Sequence, residues 1–74
     1  MRYGITLEIY QKILAAQGGG CAICGSNRRL HTDHSHSTKV VRGILCENCN
    51  RGLGMFQDSS DRLRLAMAYL DASR

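Results

Sequence analysis

The chain has 74 residues, four cysteines, no proline and no tryptophan, and a formal charge of +4. A chain of this length buries only about 60% of the surface its unfolded form exposes; one small domain fits, while a multi-domain enzyme, a Rossmann domain and a barrel do not. With 43% apolar and 22% charged residues, wholesale disorder is excluded, and no apolar run approaches the ~18 residues of a membrane span.

In chain order, Thr6 reads as the N-cap of a helix over residues 7–17, with Glu8 in its first turn. Ile9, Ile13 and Ala16 share one face. Gly18-Gly19-Gly20 ends the helix and leads into Cys21-x2-Cys24, followed by a Gly25-Ser26-Asn27 turn. Two short strands are predicted at 30–33 and 40–45, joined as a hairpin by the loop 34–39. The second delivers the chain to Cys46-x2-Cys49. A short helix is predicted over 47–56, with an early end at Gly52 as the alternative, because each of Gly52 and Gly54 costs roughly 1 kcal/mol relative to alanine. Asp58 with Asp61 resembles a capping box for a last helix over 59–72, whose apolar stripe is Leu63, Ala66, Met67 and Leu70. No secretory h-region follows the N-terminal residues, so the expected location is cytoplasmic.

A core this small supplies roughly 3–5 kcal/mol, so a staple is expected. Two CxxC pairs provide it. Each CxxC turn aims two thiolates at one point, and two such knuckles close a tetrahedral four-cysteine zinc site. Such a site has no open coordination position and is therefore structural. Two disulfides or a thioredoxin-like motif are the alternatives. Four thiolates and one Zn²⁺ together lower the formal charge by two.

Between the knuckles lies Leu30-His31-Thr32-Asp33-His34-Ser35-His36, which holds all three histidines of the chain. Histidine suits proton transfer near neutral pH, and aspartate is a hard oxygen ligand for Mg²⁺. Asn50, just after the second knuckle, offers an amide oxygen. A zinc clamp at the base of the hairpin is expected to bring Asp33 across from Asn50 to hold one Mg²⁺, with His34 activating water at the scissile phosphate. Strand residues alternate in direction, so Asp33 and His34 serve one phosphate only if the strand bends or bulges there. A turn-ending Asp33, a surface His31 and a histidine zinc site are the competing readings.

The run Cys21-Ala22-Ile23-Cys24-Gly25, then Asp33-His34-Ser35-His36, then Val41-Arg42-Gly43-Ile44-Leu45-Cys46-Glu47-Asn48-Cys49-Asn50-Arg51-Gly52-Leu53-Gly54 resembles the phage recombination endonuclease VII family of HNH nucleases. The resemblance spans residues 3–72. It implies a small α+β, zinc-stapled domain: a ββα-metal (HNH) core with flanking N- and C-terminal helices, over 1–74. It implies structural Zn²⁺ on Cys21, Cys24, Cys46 and Cys49. Catalytic Mg²⁺ or Mn²⁺ then falls on Asp33 and Asn50, the general base on His34, and a further active-site histidine on His36. It also implies phosphodiester hydrolysis leaving a 3′-hydroxyl and a 5′-phosphate. Two positions depart from the family pattern: Ser35 where aspartate is frequent, and Lys39 where the turn often has glycine.

Residues 21–54 carry Arg28, Arg29, Lys39, Arg42 and Arg51 against Asp33 and Glu47, while residues 55–74 are neutral. Basic charge gathers where phosphate contact is needed, and four aromatic residues make no stacking platform for single strands. Duplex or branched DNA, contacted through its backbone, is the expected partner, with no membrane involved. The first and last helices offer stripes through which a second copy would form a homodimer. The rival classes are a non-catalytic zinc-ribbon nucleic-acid-binding module and an accessory component of a phage packaging complex.

Overall fold

The computed structural model describes residues 5–35 and 37–73. Three helices and one two-stranded antiparallel sheet follow in the order α1 (Leu7–Ala16), β1 (Leu30–His34), β2 (Val41–Cys46), α2 (Glu47–Met55) and α3 (Ser60–Ala72). Thr6 caps α1 by accepting from Ile9 N at 3.2 Å. At the other end Gly18 N donates to Ala15 O and Gly19 N to Leu14 O. That pair of bonds is a Schellman close, and Gly18 at φ 80° supplies the left-handed residue it needs. Gly20 has a different reason to be glycine: a β-carbon there would collide with the Gly25 carbonyl oxygen.

The strands pair Leu30 with Cys46, His31 with Leu45, Thr32 with Ile44 and Asp33 with Gly43. His34 then pairs with Val41, so Arg42 is an extra residue on β2. The irregularity anticipated at Asp33-His34 therefore occurs at that step, with the extra residue on the partner strand. The turn is closed by Ser35 N to Val40 O and Lys39 N to Ser35 O, each 2.9 Å. The Ser35 hydroxyl also accepts from Thr38 N, the bond a short aspartate would make at that position. Lys39 has φ 65°, a left-handed backbone for which glycine is the easier residue.

α2 starts directly from β2, with Cys46 as its N-cap, and continues through both glycines to Met55. The early end at Gly52 does not occur. Its C-terminus is a second Schellman close, Gln57 N to Gly54 O and Asp58 N to Leu53 O, with Gln57 at φ 59° in the glycine role. The Asp58–Asp61 capping box is corrected: Ser59 is the N-cap of α3 and accepts from Arg62 N at 3.1 Å. Asp58 stands at φ 55°, just outside the helix and unable to cap it.

The core is small. Cys21, Leu45 and Cys46 are buried together, with Leu30, Cys49 and Leu53 packed on them. Ile44 is the most enclosed side chain, at 0% exposure. Its backbone is held by a residue the sequence did not single out. Gln17 Nε2 donates to Ile44 O and to Gly20 O, and Gln17 Oε1 accepts from Ile44 N, all at 2.9 Å. The side-chain amide thus pairs with β2 as a neighbouring strand would, and docks the end of α1 on the sheet. α2 packs on both strands and α1 on β2. Among the described residues, α3 packs on no other helix or strand. The fold extends 43 Å along its longest axis, and its radius of gyration is 13.7 Å, against roughly 11 Å for a compact chain of this length.

Candidate active site and metal centre

Two sites lie at opposite ends of the hairpin strands. At the base, one ligand atom from each of Cys21, Cys24, Cys46 and Cys49 lies within 4.8 Å of the others. Cys24 Sγ and Cys46 Sγ are 3.6 Å apart; a tetrahedral zinc with Zn–S near 2.3 Å separates sulfurs by about 3.8 Å. The knuckle turns aim backbone donors at the sulfurs: Ile23 N at Cys21 Sγ and Cys49 N at Cys46 Sγ, both 3.4 Å. Among the described residues this is the one group of histidine, cysteine and carboxylate side chains placed to hold a metal ion.

The titration of the cluster shows why it wants a cation. Burial pushes the Cys21 thiol up, but backbone donors at Cys24, Cys46 and Ile23 and the Cys49 thiol outweigh it and bring Cys21 down to about 6. Burial, hydrogen bonds with the other three sulfurs and the nearby Cys21 thiolate push Cys49 up to about 12. One thiolate is welcome and the next is opposed. A bound divalent ion reverses that opposition, so the donor set fits a structural metal such as zinc.

At the other end, Asp33 lies at the last paired position before the register break. Its side chain is 11% exposed and is gripped from β2 by Arg42. Arg42 Nε donates to Asp33 Oδ2 at 2.8 Å and Nη2 to Oδ1 at 3.1 Å. Nη2 also lies 3.5 Å from Asp58 Oδ2. Hydrogen bonding to Asp33 raises the Arg42 pKa further above its ordinary value, against the cost of burial. The extra residue that breaks the register is thus the one that pairs with Asp33. Asp58, missed as anything but a cap, is the second anion of this triad. His34, next to Asp33, is half-buried. Asn50 is an exposed residue of α2, the helix that packs against β1. Asp33 is thus a carboxylate with a cation already seated on both of its oxygens. His36 lies outside the described residues.

The basic residues divide. Arg42 is turned inward to Asp33 and Asp58. Arg29 and Arg51 point to Glu47, at 3.3 and 3.7 Å, and His31 Nε2 lies 4.0 Å from the same carboxylate. These surface pairs contribute little to stability and leave both guanidinium groups mostly in solvent. Arg28 and Lys39 are exposed. A groove lined by Cys24, Ser26, Arg28, Arg29, Glu47 and Asn48 runs over the cysteine cluster, away from Asp33 and His34.

Among the described residues, fold and site define a small α+β domain of three helices and a two-stranded sheet, with a four-cysteine cluster that could bind a metal. The chain belongs to the recombination endonuclease VII family, whose model matches residues 1–72. It is 47% identical over 73 residues to the "Gene 59 protein" of Mycobacterium phage D29, covering 92% of this chain and 44% of that protein. The "Gene 59 protein" of Mycobacterium phage L5 is 44% identical over the same coverage. The chain thus spans less than half the length of these relatives. No solved structure matches it. Among the described residues no helix is long and apolar enough to cross a membrane.

Proposed function

We propose that residues 1–74 form a single HNH-type domain, a metal-dependent DNA endonuclease that hydrolyses phosphodiester bonds in the cytoplasm of the cell that makes it. The observation that carries this is the position of Asp33-His34. A buried carboxylate and an adjacent histidine sit where the hairpin breaks register, on the strand that packs with the helix carrying Asn50. Asp33 and Asn50 would hold Mg²⁺ or Mn²⁺. When bound, the ion supplies positive charge to the phosphate and to the departing 3′ oxygen. His34 accepts the proton of a water molecule, and the oxygen attacks phosphorus in line. The P–O3′ bond breaks, leaving a 3′-hydroxyl and a 5′-phosphate. His36 orients His34 or meets the phosphate. Arg28, Arg29, Lys39 and Arg51 contact the backbone, which is shape and charge recognition rather than base readout. The cysteine cluster takes no part in the reaction and holds hairpin and α2 together.

The exposed Leu65, Met67, Tyr69 and Leu70 of α3 favour pairing with a second copy, and two sites in one dimer would cut both strands of a branched DNA.

The test is cleavage, with Mg²⁺, of a labelled four-way junction and a matched linear duplex, alongside His34→Ala. Cleavage of either DNA that is lost by at least about a hundredfold in His34→Ala, with binding kept, supports the reading. Paired cuts on the junction alone identify a resolvase, and equal cutting of both identifies a nicking nuclease. A folded, zinc-loaded protein that binds DNA and cuts neither overturns the enzyme in favour of a zinc-ribbon binding module.

A further inference from the structure

Arg42 is placed where a metal site would not ordinarily put a cation. Its fork occupies both oxygens of Asp33, at 2.8 and 3.1 Å. A divalent ion taking either oxygen would stand within a few ångströms of a guanidinium that already holds both, and the two cations would repel each other and compete for that carboxylate. Arg42 nevertheless has somewhere to go. Its Nη2 already reaches Asp58, which lies in the turn after α2, and its own side chain remains 41% exposed. Because Arg42 is the extra residue at the register break, its backbone is not pinned opposite a β1 residue as its neighbours' are.

We propose that Arg42 is the resident counter-cation of Asp33, displaced by the divalent ion that Asp33 takes up and then held by Asp58 for a substrate phosphate. This rests on the reading of Asp33 as a metal ligand. In the metal-free protein Arg42 neutralises a buried carboxylate that would otherwise be isolated, which keeps the hairpin intact. When the ion arrives it takes over that neutralisation, and Arg42 becomes a positively charged hydrogen-bond donor with one carboxylate partner instead of two. A phosphate diester is the anion whose oxygens match the freed fork. Metal and DNA then bind cooperatively, and the coupling is reciprocal: DNA raises the affinity for the ion as much as the ion raises the affinity for DNA.

The experiment follows the zinc-loaded protein by NMR through the Arg42 Nε–H signal, assigned by its disappearance in Arg42→Lys. Titration with Mg²⁺ should shift or exchange-broaden that signal as the bond to Asp33 breaks. In parallel, Mn²⁺ affinity is measured calorimetrically. Removing a competing cation raises the fraction of Asp33 open to metal, so Arg42→Gln should tighten Mn²⁺ binding about tenfold, while Asp33→Asn abolishes it. The wild-type titration needs no substitution at Asp33 or Arg42 to fold. An Arg42 signal unmoved at saturating Mg²⁺, or weaker Mn²⁺ binding in Arg42→Gln, overturns the proposal while loss of binding in Asp33→Asn keeps the metal reading. Unchanged Mn²⁺ binding in Asp33→Asn overturns both. In a His34→Ala background, which retains uncut DNA, Mg²⁺ should tighten duplex binding about tenfold, and Arg42→Gln should remove most of that gain.

Discussion

Residues 17–55 and residues 60–72 are built on different physics. In the first stretch the elements are tied to one another by long-range restraints. Gln17 reaches 27 positions to Ile44, Cys24 reaches 22 to Cys46 and Arg42 reaches 9 to Asp33. α3 carries local bonds: Arg62 N donates to Ser59 Oγ, Arg64 Nη1 to Asp61 Oδ1 and Ser73 Oγ to Leu70 O, each three positions apart. α3 exposes Leu65 at 71% and Tyr69 at 76%; of its stripe, Met67 and Leu70 are exposed while Leu63 and Ala66 are half-buried. Isolated helices below about 12–15 residues are marginal in water, so α3 owes its persistence to its cap, to its first-turn acid or to a partner surface. The contrast separates the part of the chain that fixes the cysteine cluster and Asp33 from the part available for association.

The largest expected effect is metal removal. Structural zinc contributes on the order of 10 kcal/mol of apparent folding free energy in small domains, so chelation, or Cys46→Ser, should abolish the cooperative thermal transition of the hairpin region. Slow amide exchange should vanish at Ile44 and remain as fast as before in α3. If Ile44 stays protected without metal, the long-range hydrogen bonds rather than the cluster hold this region. The same cluster sets a pH dependence. Cys21 is lowered to about 6, so at pH 7 it is already ionised and primes the site. Zinc affinity should fall more steeply as pH drops through about 6, where Cys21 takes up a proton. Cys49, raised to about 12, must release its proton to the metal, and calorimetry in buffers of different ionisation enthalpy should count fewer than four protons per zinc.

Gln17→Ala comes next. It removes three hydrogen bonds and leaves the Ile44 N–H without its partner beside a fully enclosed side chain, a loss of about 2–4 kcal/mol. Denaturant midpoints measure it, and a loss below about 0.5 kcal/mol would mean that α1 is not docked through this amide. The α3 boundary is worth less. Ser59→Ala should cost about 1 kcal/mol of helix stability, and Gln57→Gly should gain about 1 kcal/mol by relieving a left-handed residue at the close of α2. A destabilised Gln57→Gly would show that the side chain, and not the backbone, is needed there. The smallest effect on the monomer is Leu65→Lys, within about 0.5 kcal/mol. If it lowers the molecular mass measured by light scattering, or weakens stability in a concentration-dependent way, α3 is covered by a second copy.

Local signals were legible because they are local. Thr6 capped the helix it was expected to cap, the CxxC pairs met, and the strands fell within one residue of their expected ends. Ser59 was passed over for Asp58 because both stand before the same apolar run, and only the backbone angle of Asp58 shows that it cannot cap. The stripe on α3 reads like a core stripe because periodicity reports amphipathicity and not what lies opposite.

The amino-acid sequence by itself determined the four-cysteine cluster, the hairpin between its halves, the placement of Asp33 and His34 on that hairpin and the family to which the chain belongs. Each depends on spacing that a short segment carries in full. Only the tertiary structure decided that Gln17 would serve as a strand for Ile44, that Arg42 would be the extra residue at the register break and close on Asp33 and Asp58, and that, among the described residues, α3 would pack on no other helix or strand. Those outcomes depend on which distant backbone groups are left unsatisfied once the hairpin and cluster have formed. A polar side chain with several available partners does not announce its choice until the fold has removed the others.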